Sequence, residues 1–346
     1  MGSNENVQTE DAYLSRVSAA NLQPVWRMPG PGNPEPIIPE VPFVWRWDEV
    51  MGLLHEAGES VVGVDSGRRA LNAKNPALPF GATRTMSAGY QLVLPGEVAL
   101  THRHSPAAIR FIVQGGNGHT VVDGEPVLME DGDLVLTPGS TWHDHRVQGD
   151  QPLVWLDGLD APFVKDLGAT FFEDFPDGDL QPITKPEAAG TGRFGAGVLP
   201  AGEQSAGLNS PMTVYKWRDT WAALQEMAAY GVSDPLHGTR LEYINPVTGG
   251  HVLPTLACYL QLLKSGISTT SFKQTSSTIF CVVKGSGHTI VNGERLDWGE
   301  RDFFVVPAWS WHEHHVENGS EDAVLFALSD LPIFEPFGLY RQQVAS

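Results

Sequence analysis

Short runs of β-branched and aromatic residues, many alternating with polar ones, recur along this chain, and glycine, proline or Asp-Gly closes each of them. Typical examples are "YQLVLPGE", "IRFIVQGG", "HTVVDGEPV", "DLVLTPG" and "LVWLDG". Runs this short with this punctuation predict an all-β sandwich or barrel. A helical period stands out in two places, 48–58 ("DEVMGLLHEAG") and 219–231 ("DTWAALQEMAAYG"). Each opens near an aspartate suited to an N-cap and ends close to a glycine.

The two helical segments lie roughly 170 residues apart, a spacing that points to an internal repeat. "VWRWDEVMGLLHEAG" from 44 matches "VYKWRDTWAALQEMA" from 214, and "GHTVVDGEPVLMEDGDLVLTPGSTWHDH" from 118 matches "GHTIVNGERLDWGERDFFVVPAWSWHEH" from 287. One fold is therefore used twice. The reading divides the chain into an N-terminal arm (1–42, proline-rich over 24–42), a first barrel (43–175), a linker (176–212) and a second barrel (213–346).

The repeat also supplies a control. Residues that both copies keep serve the shared fold; residues that one copy alone holds are candidates for chemistry. His119 recurs as His288, and His143 and His145 recur as His312 and His314. His102 and His104, in contrast, become Phe272 and Gln274. Arg110 becomes Phe280, Asp157 becomes Ala327, and Arg68 with Arg69 become Gly238 with Thr239. The first copy holds a polar constellation that the second lacks.

Composition narrows the classes. With 41% hydrophobic and 18% charged residues over 346 positions, the chain has enough apolar material for two cores. No apolar run is long enough to span a bilayer, and the polar N-terminus carries no apolar signal region. Two cysteines, Cys258 and Cys281, make no disulfide framework, which suits a reducing cytosol. A net charge of −19 argues against nucleic acid and means that an anionic substrate needs a locally placed cation.

His102 and His104, one residue apart on a strand, point to one face and form a metal clamp, and His143 or His145 could complete it from an adjacent strand. Neutral imidazoles from adjacent strands can occupy one face of an octahedral ion and leave the other open. His145 shares the lumen with His143 and is read as a substrate-facing acid or base. No acid follows the His pair: position 108 is alanine, and the first charged group is Arg110. A three-histidine site stays dipositive with a divalent ion and suits a chelating, dianionic ligand. Arg110 is placed to hold a carboxylate.

Gly96, then His102 and His104, then Gly115 resembles the first motif of the cupin superfamily, and Gly132 followed by "PGSTWH" (138–143) resembles its second. Taken together, "HRHSPAAIRFIV", "WHDH" and "WLDGLD" resemble the gentisate 1,2-dioxygenase branch of the bicupins, which includes salicylate and 1-hydroxy-2-naphthoate dioxygenases. "VPFVWRWDEV" and "LEYINPVTGGHVLPTL" extend the likeness over most of the chain. The resemblance implies a duplicated double-stranded β-helix, or jelly-roll barrel, with a few flanking helices. It implies Fe(II) held by His102, His104 and His143, with Ala108 matching the family's missing motif Glu. It implies substrate contacts from Arg110, His145, Gln91, Asp157 and either Arg68 or Arg69. It further implies cleavage between the carboxyl-bearing and hydroxyl-bearing ring carbons, gentisate giving maleylpyruvate, in a cytoplasmic homotetramer.

Two rivals stand beside this reading. A bicupin decarboxylase or isomerase using manganese or nickel ordinarily carries the motif Glu, which Ala108 replaces. A non-catalytic binding or storage bicupin explains the altered second copy but not the constellation kept by the first. Which hydroxy acid is the substrate stays open, with Ser87 one position where size could set the choice. The role of His312 and His314 stays open too.

Overall fold

The computed structural model describes residues 2–28, 32–61, 69–115, 117–196, 201 and 207–345. It contains four separate antiparallel sheets, two of six strands and two of five. In each copy a six-stranded sheet faces a five-stranded one, so each predicted barrel is a two-sheet jelly roll. Strand alternation explains the layering. In the strand Ser87–Val93, Ala88, Tyr90 and Leu92 join one apolar cluster while Val93 joins another. In Ala257–Leu263, Cys258, Leu260 and Leu262 point one way and Ala257, Tyr259 and Leu263 the other. The large shared cluster draws on both copies, so the two six-stranded sheets pack back to back. Phe111 and Phe326 stack across that seam with ring centroids 4.3 Å apart. Both cysteines are buried in it.

The copies also exchange elements. Phe43–Trp45, placed in the first barrel from sequence, hydrogen-bonds to Phe303–Val306 of the second copy's sheet. Val214–Tyr215 pairs in the same way with Leu134–Thr137 of the first. The helices Trp47–Ser60 and Trp217–Ala229 follow these strands; the first covers its predicted segment, and the second ends two residues before its predicted end. Their N-termini correct the sequence reading, because the capping carboxylates are not the local Asp48 and Asp219. The Trp47 N–H donates to Asp302 at 2.8 Å, and the Trp217 N–H donates to Asp133 at 2.8 Å. Arg46 and Lys216 then pair with the same two aspartates. Each helix is thus capped from the opposite copy.

A second crossed pair lies at the other end of the seam. Asp160 accepts from the Ala107 N–H and from Thr255 of the second copy. Asp330 accepts from the Ser277 N–H and from Thr85 of the first. Two residues of the predicted linker are also tied down: buried Gln181 donates to Asp144 and to the Val121 carbonyl, and Thr191 donates to the Val214 carbonyl.

Residues 1–38 form a unit of their own. The polar arm read from sequence contains a helix, Gly2–Ala19, and a short turn, Val25–Arg27, with Arg27 ion-paired to Glu10. A helix polar on most sides gives no hydrophobic period, which is why the sequence reading missed it.

Removing the Asp302 carboxylate leaves a helix N-terminus and Arg46 without their partner. Asp302→Ala should cost about 2 kcal/mol in urea denaturation. Hydrogen exchange should accelerate in Trp47–Ser60, in the other copy; an unaffected helix would refute the crossed cap. Burial pushes the Asp330 carboxyl up to about 7. The folded chain therefore keeps a proton that the unfolded chain releases near pH 4, and this stabilisation is lost as pH rises towards 7. Relative to Asp330→Asn, the wild-type protein should lose stability over that window; parallel profiles would show the carboxylate to be ionised throughout.

Candidate metal centre

The strands Val98–His104 and His143–Val147 run antiparallel with His102 opposite His143. The ligating atoms of His102, His104 and His143 all lie within 4.8 Å of one another. The tautomer of each ring is set by a backbone carbonyl. Nδ1–H of His102 donates to Leu100 at 2.8 Å, that of His104 to Pro106 at 2.8 Å, and that of His143 to Thr141 at 3.0 Å. A neutral imidazole whose Nδ1 donates presents Nε2 as a free lone pair. His143 Nε2 is fully buried and has no hydrogen-bond partner. Burial, then the charge of Arg110, lowers the His143 pKa well below the ordinary value, so its lone pair stays unprotonated. Burial likewise lowers His104. Three imidazoles brought together, each with Nδ1 turned to a backbone carbonyl, fit a borderline divalent metal.

The remaining chemistry lies on the facing sheet. Arg110 and Asp157 are direct cross-strand partners on Ala108–Gln114 and Leu153–Leu159. Both are buried, and Arg110 Nε lies 3.4 Å from Asp157 Oδ1. Arg110 also donates to the Thr137 hydroxyl. Burial lowers the Arg110 pKa and raises that of Asp157, each opposed by the charge of the other. His145 is buried with its ring 4.9 Å from Trp155, and burial holds it neutral. Arg110 Nε, Asp157 Oδ1, His145 Nδ1 and Trp155 Nε1 are all buried without a hydrogen-bond partner. Such a concentration of unsatisfied polar atoms on one inner surface marks a site built for a ligand.

The other sequence candidates separate. Gln91 lies on the inner face, opposite Trp155. Arg69 does not join the cluster: its guanidinium pairs with Glu97 and donates to the Val61 carbonyl, and its backbone sits beside Leu92, towards the far end of the strand. Arg68 lies outside the described residues. Ser87 is buried opposite Leu159. Two contacts escaped the sequence reading. Thr137 holds Arg110, and the copy comparison would have found it, since its counterpart is Val306. Phe172, on the short strand Phe172–Asp174, stacks on His102 at 5.1 Å; no local pattern marks it.

The second copy shows the same place without the histidine pair. Phe272 lies 4.2 Å from His312, and Phe280 lies 4.9 Å from His314. The apolar ring of Phe272 replaces a ligand, and burial takes His312 down to about 4.

Comparison with known proteins agrees with this geometry. The cupin domain model matches residues 89–158 and 259–329. Gentisate 1,2 dioxygenase 1 of Aquipseudomonas alcaligenes is 37% identical over 95% of this chain and 95% of its own length. The 5-aminosalicylate 1,2-dioxygenase of a Comamonas species is 38% identical over 99% of this chain and 92% of that protein. A crystal structure of salicylate 1,2-dioxygenase from Pseudoaminobacter salicylatoxidans with gentisate superimposes with a TM-score of 0.90 at 36% identity, covering 98% of this chain and 94% of that one.

His104→Ala should abolish stoichiometric divalent-metal binding while leaving the melting transition close to that of the metal-free parent, because the second copy folds with Gln274 at this position. Metal analysis after dialysis checks it; one tightly held ion per chain in the variant would remove His104 from the ligand set.

Proposed function

This chain belongs to the gentisate 1,2-dioxygenase family of two-cupin proteins, and on that premise we propose that it opens the ring of a 2-hydroxy aromatic carboxylic acid with dioxygen, converting gentisate to maleylpyruvate. The observation that carries the reading is the pairing of an all-imidazole metal group with a buried arginine in one jelly roll. A metal site with no carboxylate of its own keeps its full positive charge for a substrate that brings two oxygen donors.

Under this proposal His102, His104 and His143 hold iron(II), whose redox chemistry, when it is bound, lets dioxygen react with an aromatic ring. The protein's part is positioning and proton handling. Arg110 binds the substrate carboxylate, its side chain already oriented by Thr137 and Asp157. A carboxylate entering beside Arg110 gives the unsatisfied Nε–H an acceptor. Asp157, its carboxyl raised by burial, and neutral His145 are the groups that can take the proton of the ring hydroxyl. Gln91 orients the ring from the strand beside Trp155, and Trp155 walls the pocket. Arg68 remains a substrate-binding candidate. We place the protein in the cytoplasm as a homotetramer; no helix among the described residues is long and apolar enough to cross a membrane.

Oxygen uptake by protein reconstituted anaerobically with iron(II), offered gentisate, salicylate and 1-hydroxy-2-naphthoate in parallel, tests the assignment. Uptake coupled to loss of the aromatic absorbance should appear with gentisate; silence with all three, at one iron per chain, would refute it. Arg110→Ala should weaken apparent affinity for the acid about ten- to a hundredfold, the worth of a charged hydrogen bond. An unchanged affinity would place the carboxylate elsewhere.

A further inference from the structure

The second jelly roll has not merely lost polar groups. On its inner face Arg240 stands where the first copy has Ala70, and Tyr259 stands where it has Gly89. Arg240 lies directly across from Gln261 on neighbouring strands. Its guanidinium carbon sits 3.6 Å from the Tyr259 ring centroid, and its Nη1 donates to His237 Nε2 at 2.9 Å. Among the described residues no carboxylate forms an ion pair with it. Glu242 and Asp234 act on it only at longer range. Glu242 is taken up by His251, and Asp234 Oδ1 accepts the Leu236 and His237 N–H groups.

Two buried donors here lack acceptors: Arg240 Nε and Gln261 Nε2, the latter on a side chain only 1% exposed. A largely buried guanidinium with no counterion is costly, and both unsatisfied atoms donate, so the missing partner is an acceptor carrying negative charge. Around Arg240 stand Tyr259, His237 with the Phe272 ring 4.9 Å from it, and Tyr340, whose hydroxyl donates to Gln274 at 3.3 Å. These surroundings are aromatic, and among the described residues they hold no metal-binding trio.

We propose that the second jelly roll is a metal-independent binding site for a small aromatic carboxylate, with Arg240 and Gln261 holding the carboxylate and Tyr259 and Phe272 flanking the ring. The site is separate from the metal centre and needs no chelating hydroxyl on its ligand.

Benzoate, a carboxylate without such a hydroxyl, is the probe. It is titrated calorimetrically into the full-length Arg110→Ala protein, in which the first site is blunted. One benzoate per chain should bind, and adding Arg240→Met should weaken it about tenfold or more with the melting temperature retained. Should Arg240→Met fail to fold, Gln261→Leu in the same background should weaken binding by a smaller factor. Absence of saturable binding, or equal affinity with and without the second-barrel substitution, would overturn the proposal and leave Arg240 as a plug.

Discussion

Four aspartates bind the two copies of the fold to one another, and the rest of the architecture depends on them. Asp133 and Asp302 each cap a helix that belongs to the opposite copy, and Asp160 and Asp330 each accept a threonine hydroxyl from across the seam. A carboxylate at a helix N-terminus satisfies orphan N–H groups and meets the positive end of the helix dipole. Because the acceptors come from the other copy, neither helix has its cap without the whole duplicated chain. This reciprocity gives the second jelly roll a structural task that does not require a metal. It also explains why substitutions in its lumen, such as Phe272 and Phe280, coexist with an intact seam.

On that rigid base the first lumen keeps a sharp division of labour. One sheet supplies three imidazoles, each locked by its own or a neighbouring segment's carbonyl, two residues away in sequence. The facing sheet supplies a cation and a carboxylate directly opposite each other. Burial acts on both halves in the same direction by disfavouring charge. On His104 and His143 the result is an imidazole kept neutral. On Arg110 and Asp157 the result is a pair at 3.4 Å whose facing atoms make no hydrogen bond. A pair left loose in a dry interior retains capacity for a ligand that supplies better geometry, which is what a substrate carboxylate offers Arg110.

Much of this was legible in the chain because its information is local. Alternation and turn residues revealed the strands, and the internal repeat exposed His102, His104, Arg110 and Asp157 by contrast with Phe272, Gln274, Phe280 and Ala327. Spacing on a strand fixes which side chains share a face, so the His102–His104 pair followed from spacing, while His143 followed from the likeness to the second cupin motif. Thr137 belonged to the same class of signal, as its contrast with Val306 shows.

What tertiary structure decided is every pairing between distant segments. Asp48 and Asp219 sit where a helix cap belongs in sequence, yet the caps are Asp302 and Asp133, because strand exchange carries each helix start onto the other copy's turn. Arg69 reads as a pocket cation beside Arg68, yet Glu97, brought close by the turn after Ser87–Val93, takes its guanidinium. Phe172 lies beyond the helix Ala161–Asp166 in the chain but stacks on a metal-site histidine because a three-residue strand returns to the sheet edge. The chain itself determined a duplicated β fold, the face of each strand and the three imidazoles. Long-range strand registry and crossed hydrogen bonding determined which polar groups remained unsatisfied at the site, since a side chain's partner depends on what the fold brings opposite it and not on its neighbours in sequence.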